Sequence, residues 1–551
     1  MQGEVHPKDL NSIIFREPPQ VPGILFSAGN SLFCLFTYIC PFGEHNTFRN
    51  FHISAFLSSF LQKNIPFFEN FYLHFLNKVV YCFQFAPKRR TVVLNSLTFL
   101  RKEDIIMKRK LTPKETLAVA SLLFGLFFGA GNLIFPVHMG QAAGRNCVVA
   151  SMGFVVTGVG LPLLGVAAMG LSRSESLAQL AGQVGQGYGR FFTVLLYLTI
   201  GPCFAIPRCA TTSFTVGVEP LLVGNDRLWL LGFSLVFFLL VLFFSLRPSG
   251  ILTWVGRVIN PVFLILLSLL VIASFANPMA SVPQIAPEGD YVTQPFLTGF
   301  LEGYNTMDTL AALAFGITIV QVLRQLGLRR PEDIAKGTCL SGVFSCLLMA
   351  LIYALITWMG AQSRGAYSLS ANGGIALADI AHHYFGRAGQ LILAATVTLA
   401  CLKTSIGLVT SCAETFHLLY PRIGYKAWTW IFSLFPLAIS NLGLTTIISF
   451  SLPVLMFLYP LSITLILLSL LGGLFGRDRR VFVSVTVLTL AAAVLDFLAA
   501  LPEAAISILH LEGLLGWANS YIPLFSYGLG WLLPAALGLT IGLALRWRAS
   551  R

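Results

Sequence analysis

The sequence predicts an all-α polytopic membrane protein of about twelve transmembrane helices, with broken first and sixth helices. Composition gives the class: mean hydropathy is +0.77, with 56% hydrophobic and only 11% charged residues. The apolar residues fall into runs of about twenty, the length that crosses a bilayer. Two of those runs carry interruptions that a plain anchor does not need.

Residues 1–106 and 107–551 read as unlike parts. The first is rich in Phe and mixes Lys/Arg with Asp/Glu, and neither FHISAFLSSF nor FFENFYLHFLNKVVYCF makes a clean span. Its opening thirty residues lack the basic end and apolar core of a signal peptide. Met107-Lys108-Arg109-Lys110 then precedes a regular span, as a natural start with a basic cytoplasmic end does. Residues 1–106 are therefore expected to be a disordered extension or a start-site artefact. A genuine extension or one extra anchor is the alternative. Residues 107–551 are expected to form the membrane-spanning domain, with a first repeat over 116–276, a second over 295–472 and two accessory helices over 481–545.

Taken in order, the spans are placed at 116–137, 147–170, 190–217, 227–245, 251–276 and 295–322. They continue at 338–360, 388–417, 428–445, 447–472, 481–501 and 521–545. The ninth and tenth are divided only by Asn441 and Gly443. Loop charge supports the count. With the Met107 end cytoplasmic, the inside loops carry Arg173, Arg190, Arg247, Arg324, Arg329, Arg330 and Lys336. They go on with Arg422, Lys426, Arg477, Arg479, Arg480 and the closing Arg546, Arg548 and Arg551. The outside loops carry chiefly Arg145, Arg227, Arg364 and Arg387. Both domain ends are thus expected inside.

Several classes are excluded. The net charge of +13 is spread thinly between apolar runs, so it marks membrane orientation and not nucleic-acid binding. Ten cysteines show no metal spacing, and Cys401 and Cys412 read as small buried hydrophobes. No P-loop, GxGxxG or HExxH supports ATP-driven pumping, and no compact catalytic group indicates an enzyme.

The first interruption is Gly129-Ala130-Gly131-Asn132, closed by Pro136. Where a helix opens, its carbonyls can ligate a cation and the following half-helix N–H groups can hold a carboxylate. The second is Glu302-Gly303-Tyr304-Asn305-Thr306-Met307-Asp308 in the sixth span. Charged groups there face a cavity or a partner, or else lie in the outer aqueous zone; Asp308 is the deeper candidate. The two interrupted spans open five-helix repeats, and an odd repeat length inverts the second copy. Interrupted helices at matching positions point to a transport site. In the eighth span, Thr404 and Ser405 offer hard oxygens to a small cation, though such hydroxyls often bond to their own preceding turn. Lys403 beside them must pair, reach an aqueous path or lose its proton. It takes a cation's place, balances Asp308 or Glu414, or faces a vestibule. The third span adds Tyr197, Pro202, Pro207 and Arg208, the last a gate or an interfacial anchor. Gly153, Gly158 and Gly160 read as close helix packing, and Asp496 as peripheral.

LFGLFFGAGNLIFPVHMGQAAG, GFLEGYNTMDTLAALAFG and CLKTSIGLVTSCAETF together resemble the bacterial branched-chain amino acid transport system II carriers, cation symporters of the amino acid–polyamine–organocation superfamily. The resemblance runs from about Met107 to the carboxyl end. It implies twelve spans, a five-plus-five inverted repeat, and uptake of leucine, isoleucine and valine across the bacterial inner membrane. It implies no cofactor and no obligate protein partner. The resemblance implies sodium as the coupling ion, with protons as the alternative. Gly129, Ala130, Gly131, Asn132, Glu302, Gly303, Tyr304, Asn305 and Asp308 would surround the substrate, with Tyr197 and Phe315 lining its side-chain pocket. The Cys401 carbonyl, Thr404 and Ser405 match a sodium site's i, i+3, i+4 spacing, with Gly129 opposite. Lys403 departs from the threonine expected there.

Overall fold

The computed structural model describes residues 111–129, 131–172, 174, 176–222, 226–246 and 251–550. They belong to one unit, Ile106–Arg551. The expectations for residues 1–106 and for Ala130 lie outside the described residues. All regular structure among the described residues is helical.

The first span is α1 (Pro113–Phe127) and α2 (Gly131–Ala143). Thr112 starts α1 through a capping box: Glu115 N donates to its hydroxyl, its own N–H donates to Glu115, and Pro113 follows. Pro136 lies inside α2 and does not close the interruption, because the helix has already restarted at Gly131. The second span is α3 (Cys147–Val155) and α4 (Leu161–Leu171), joined by a π turn. After the short α5 (Leu177–Ala181), the third is α6 (Gln186–Leu198) and α7 (Ala205–Gly217), with a π turn at Thr199–Cys203 holding Pro202. The fourth and fifth are α8 (Asp226–Leu246) and α9 (Ile251–Ala276).

The sixth span is α10 (Pro295–Glu302), a tight turn at Gly303–Thr306, and α11 (Asp308–Gln325). Then follow α12 (Pro331–Ser363), α13 (Gly373–Leu419), α14 (Tyr425–Ser440), α15 (Leu444–Leu471) and α16 (Arg479–Ala499). The chain ends with α17 (Glu503–Ile508), α18 (Glu512–Tyr521) and α19 (Leu532–Ser550). The ninth and tenth spans part where expected, at Gly443 with φ 85°. The eighth begins earlier than expected: Asn372 caps a segment that bends at Gly386, whose φ of 59° and ψ of −153° suit only glycine. The twelfth starts at Leu532 instead of 521, because residues 522–531 form turns around Leu524 and Gly528 in left-handed conformations.

Packing reveals the repeat. The seventh span, α12, lies along both halves of the first, and the second span lies along both halves of the sixth. Exchanging first with sixth and second with seventh maps one pairing onto the other. The third span packs on the eighth, and the fourth on the ninth, each pairing mapping onto itself. Glycines set the closest crossings. A Cβ on Gly140 would collide with the Thr357 carbonyl, and one on Gly360 with that of Val137. Gly153 and Gly299 stand in the same relation between α3 and α10. The packing role expected for Gly153 is met, whereas Gly160 approaches no neighbouring helix.

Above this frame, Glu288 N donates to the Ala142 carbonyl at 2.8 Å, Arg145 N to that of Ile285 at 3.0 Å, and Arg364 pairs with Glu288. Tyr291, in the same connection, is buried, and burial lifts its phenol well above the ordinary range. Gly140→Val is expected to force α2 from α12 and to destabilise the protein by about 1–3 kcal/mol. Gly160→Ala is expected to be neutral. Thermal unfolding of the purified chain in detergent reads both.

Candidate functional site

At the first break Phe128 is extended, with ψ 100°, and the helix restarts at Gly131. Gly129 N donates to the Asn132 side-chain oxygen at 3.0 Å. The last carbonyls of α1 and the first N–H groups of α2 lack helical partners and are available to other groups. At the second break Met307 takes a left-handed conformation, φ 61° and ψ 12°, which costs a residue with a Cβ about 1–2 kcal/mol. Two bonds of Thr306 frame it: its hydroxyl donates to the Gly303 carbonyl at 2.9 Å and accepts from Asp308 N at 3.3 Å.

One knot of side chains ties the breaks together. Asn132 Nδ2 donates to Asp308 Oδ2 at 2.5 Å. Tyr353, from the seventh span, contacts the same amide and points its hydroxyl at the same carboxylate oxygen, 3.4 Å away. Asp308 is 3% exposed, so it does not lie in an outer aqueous zone. Arg208, 4% exposed, approaches from α7. It donates to the Asn305 carbonyl at 2.8 Å and lies over the Phe135 ring at 5.0 Å. A Cβ on Gly131 would stand 3.2 Å from its guanidinium. Arg208 is therefore no interfacial anchor; it touches the neighbourhood of both breaks.

The eighth span meets the first break from the other side. A Cβ on Gly129 would lie 3.8–3.9 Å from the Thr404 side chain. The Thr404 hydroxyl donates to the Ala400 carbonyl at 3.1 Å, which leaves its oxygen lone pairs free to face the break. Ser405 is buried and its hydroxyl has no hydrogen-bond partner among the described residues. Cys401, one turn back, is buried beside Cys209. Lys403 is half-buried.

The other expected residues divide. Glu302 ends α10 and accepts from Asn305 Nδ2 at 3.2 Å. Gly303 admits the Thr157 hydroxyl of the second span, where no Cβ fits. Tyr304 stacks its ring on Tyr459, with ring centroids 3.9 Å apart. Tyr197 donates to the Ala314 carbonyl at 3.0 Å, which brings the third span beside Phe315. Ala130 is outside the described residues. Sequence reasoning missed Tyr353 and Tyr459, since single tyrosines in apolar runs carry no distinguishing pattern. Arg208 did carry a signal, a full charge within an apolar run.

The family described as branched-chain amino acid transport protein matches residues 112–549. A branched-chain amino acid permease BrnQ from Lactobacillus delbrueckii subsp. lactis is 49% identical over 78% of this chain and 96% of its own. Branched-chain amino acid permease BraB of Bacillus subtilis is 40% identical over 80% of this chain and 97% of its own. A branched-chain amino acid transport system 2 carrier protein of Pseudomonas aeruginosa is 40% identical over 78% and 95%. Among solved structures, the nucleobase-cation-symport-1 family transporter Mhp1 aligns at 15% identity and TM-score 0.49, over 79% of this chain and 92% of that one.

The knot makes a stability prediction independent of activity. Asn132→Asp sets a second carboxylate against Asp308 and is expected to cost about 3 kcal/mol or more. Tyr353→Phe is expected to cost about 1 kcal/mol. Exchanging the pair, Asn132→Asp with Asp308→Asn, restores one amide and one carboxylate and is expected to recover most of the loss. Melting temperatures of the four proteins in detergent check this.

Proposed function

This chain belongs to the branched-chain amino acid transport protein family, and from that membership we propose that it carries leucine, isoleucine and valine inward by sodium symport. It is a multi-pass membrane transporter and not an enzyme. The observation that carries the sodium reading is the approach of the first break to the eighth span. Gly129 of the first break lies against the Thr404 side chain, and the adjacent Ser405 hydroxyl is buried with no hydrogen-bond partner among the described residues. Such a cluster of hard oxygens, framed by the Cys401 carbonyl at the same helical face, suits a small monovalent cation.

The substrate zwitterion sits between the breaks in this reading. Its carboxylate meets the N–H groups that begin α2 at Gly131 and Asn132, with Arg208 as the countercharge. Its ammonium meets carbonyls of Gly303 to Thr306, with Asp308 and Glu302 completing a negative surround. The branched side chain lies toward Tyr197 and Phe315. An apolar pocket separates neighbours differing by one methylene by only about 1–3 kcal/mol, so overlapping recognition of the three amino acids is expected. In alternating access, the cation at the first break would fix α1 against α13 and complete the carboxylate site. Inward closure would then release both solutes toward the cytoplasmic face, on which both domain ends lie.

A proton-coupled cycle is the second reading, favoured by Asp308, a carboxylate held at the junction of both breaks. Radiolabelled leucine uptake into proteoliposomes of the full chain separates the two. A sodium gradient at constant pH is expected to drive uptake that excess isoleucine and valine block. Thr404→Ala and Ser405→Ala are each expected to raise the sodium concentration for half-maximal uptake about tenfold, the loss of roughly 1.4 kcal/mol of ligation. Uptake driven by a pH gradient without sodium would transfer coupling to Asp308 and Lys403. No leucine uptake by folded protein under either gradient would sink the substrate assignment.

A further inference from the structure

Away from the breaks, a cavity of about 230 Å³ lies between α10, α15, α16 and the turn at Phe525–Tyr527. Asp496 of α16 lines it while only 2% exposed, and neither carboxylate oxygen has a hydrogen-bond partner among the described residues. The side-chain oxygen of Gln294, also in the lining, is buried and equally unpartnered. Three acceptor oxygens thus lack donors at one cavity. A carboxylate held out of water is costly unless a cation or a proton answers its charge. Among the described lining residues there is no Lys, Arg or His, and Asp290 adds a second carboxylate.

The shape narrows the partner. A primary ammonium presents three N–H donors, the kind of group such acceptors lack. Leu297, Leu301 and Met456 form an apolar wall that a bare ion does not use and an alkyl chain does. A zwitterion is disfavoured, because its carboxylate would lie among Asp290 and Asp496 without a cationic group. We propose that this cavity is a second site, which binds a primary alkylammonium cation with its ammonium on Asp496 and Gln294 and its chain along α10 and Met456. The inference goes beyond the transport reading and does not rest on it, since binding is measured without transport.

Isothermal titration of the purified full chain with isoamylamine tests it. Saturable binding is expected, weakened at least tenfold, about 1.4 kcal/mol, by Asp496→Asn. Ala499→Trp fills the cavity from an exposed position of α16 and is expected to weaken binding as much, which keeps the test valid should Asp496→Asn not fold. Sodium chloride at equal concentration is expected not to displace the amine. Absence of saturable binding, binding untouched by Ala499→Trp, or displacement by sodium would each overturn the proposal.

Discussion

A carboxylate removed from water inside a helical bundle has to be answered by donors, and Asp308 is answered by two residues from other spans. Asn132 comes from the first break and Tyr353 from the seventh span. The answer fixes more than one charge. Asn132 spans the opening, its side-chain oxygen accepting from Gly129 N while its amide donates to Asp308. One set of hydrogen bonds thus joins both breaks and the seventh span. The left-handed Met307 is held in the same place, just before the residue that must point inward.

The surrounding helices are arranged to keep this knot in register. The first and seventh spans, and the second and sixth, meet backbone against backbone through glycines. Such contacts leave little room for sliding, since interiors packed at crystal-like density transmit displacement instead of absorbing it. Those four spans form one tightly joined group. The third and eighth pack closely on each other, with the fourth, fifth and ninth around the eighth. Arg208 and Thr404 belong to that second group yet reach the breaks of the first. Charge and hard oxygen are thus delivered across the boundary between two packed units, where a small relative rotation changes their distance from the breaks.

Much of this architecture was legible in the sequence for identifiable reasons. Apolar run length placed the spans, and glycine, asparagine and carboxylates inside those runs marked both breaks. The pairing of Gly129 with Thr404 was implied by the family resemblance, since two adjacent hydroxyls alone are a weak signal. The parts that were not legible depend on contacts distant in the chain. Nothing around Tyr353 separates it from a core tyrosine, and Tyr304 was assigned to substrate although its ring stacks on Tyr459. Pro136 looked like a terminator, but a proline early in a restarted helix is tolerated because few intrahelical bonds are lost. Asp496 read as peripheral from its place after the repeats, whereas burial without a partner makes it one of the most constrained carboxylates in the described chain. The twelfth span began late because two left-handed residues in an apolar segment leave no compositional trace.

The broken first span also bears on how such a chain is made. α1 has 15 residues, about 22 Å of helix, against a hydrocarbon core of about 30 Å. Neither half is long enough to cross on its own as the ribosome delivers it. The groups that hold the break open, Asp308 and Tyr353, lie 176 and 221 residues downstream of Asn132. During synthesis the segment from Pro113 to Ala143 must therefore enter the bilayer before its partners exist, as a continuous helix or sheltered by the insertion machinery. The contacts that hold it open to Asp308 and Tyr353 can form only once the second repeat has been made.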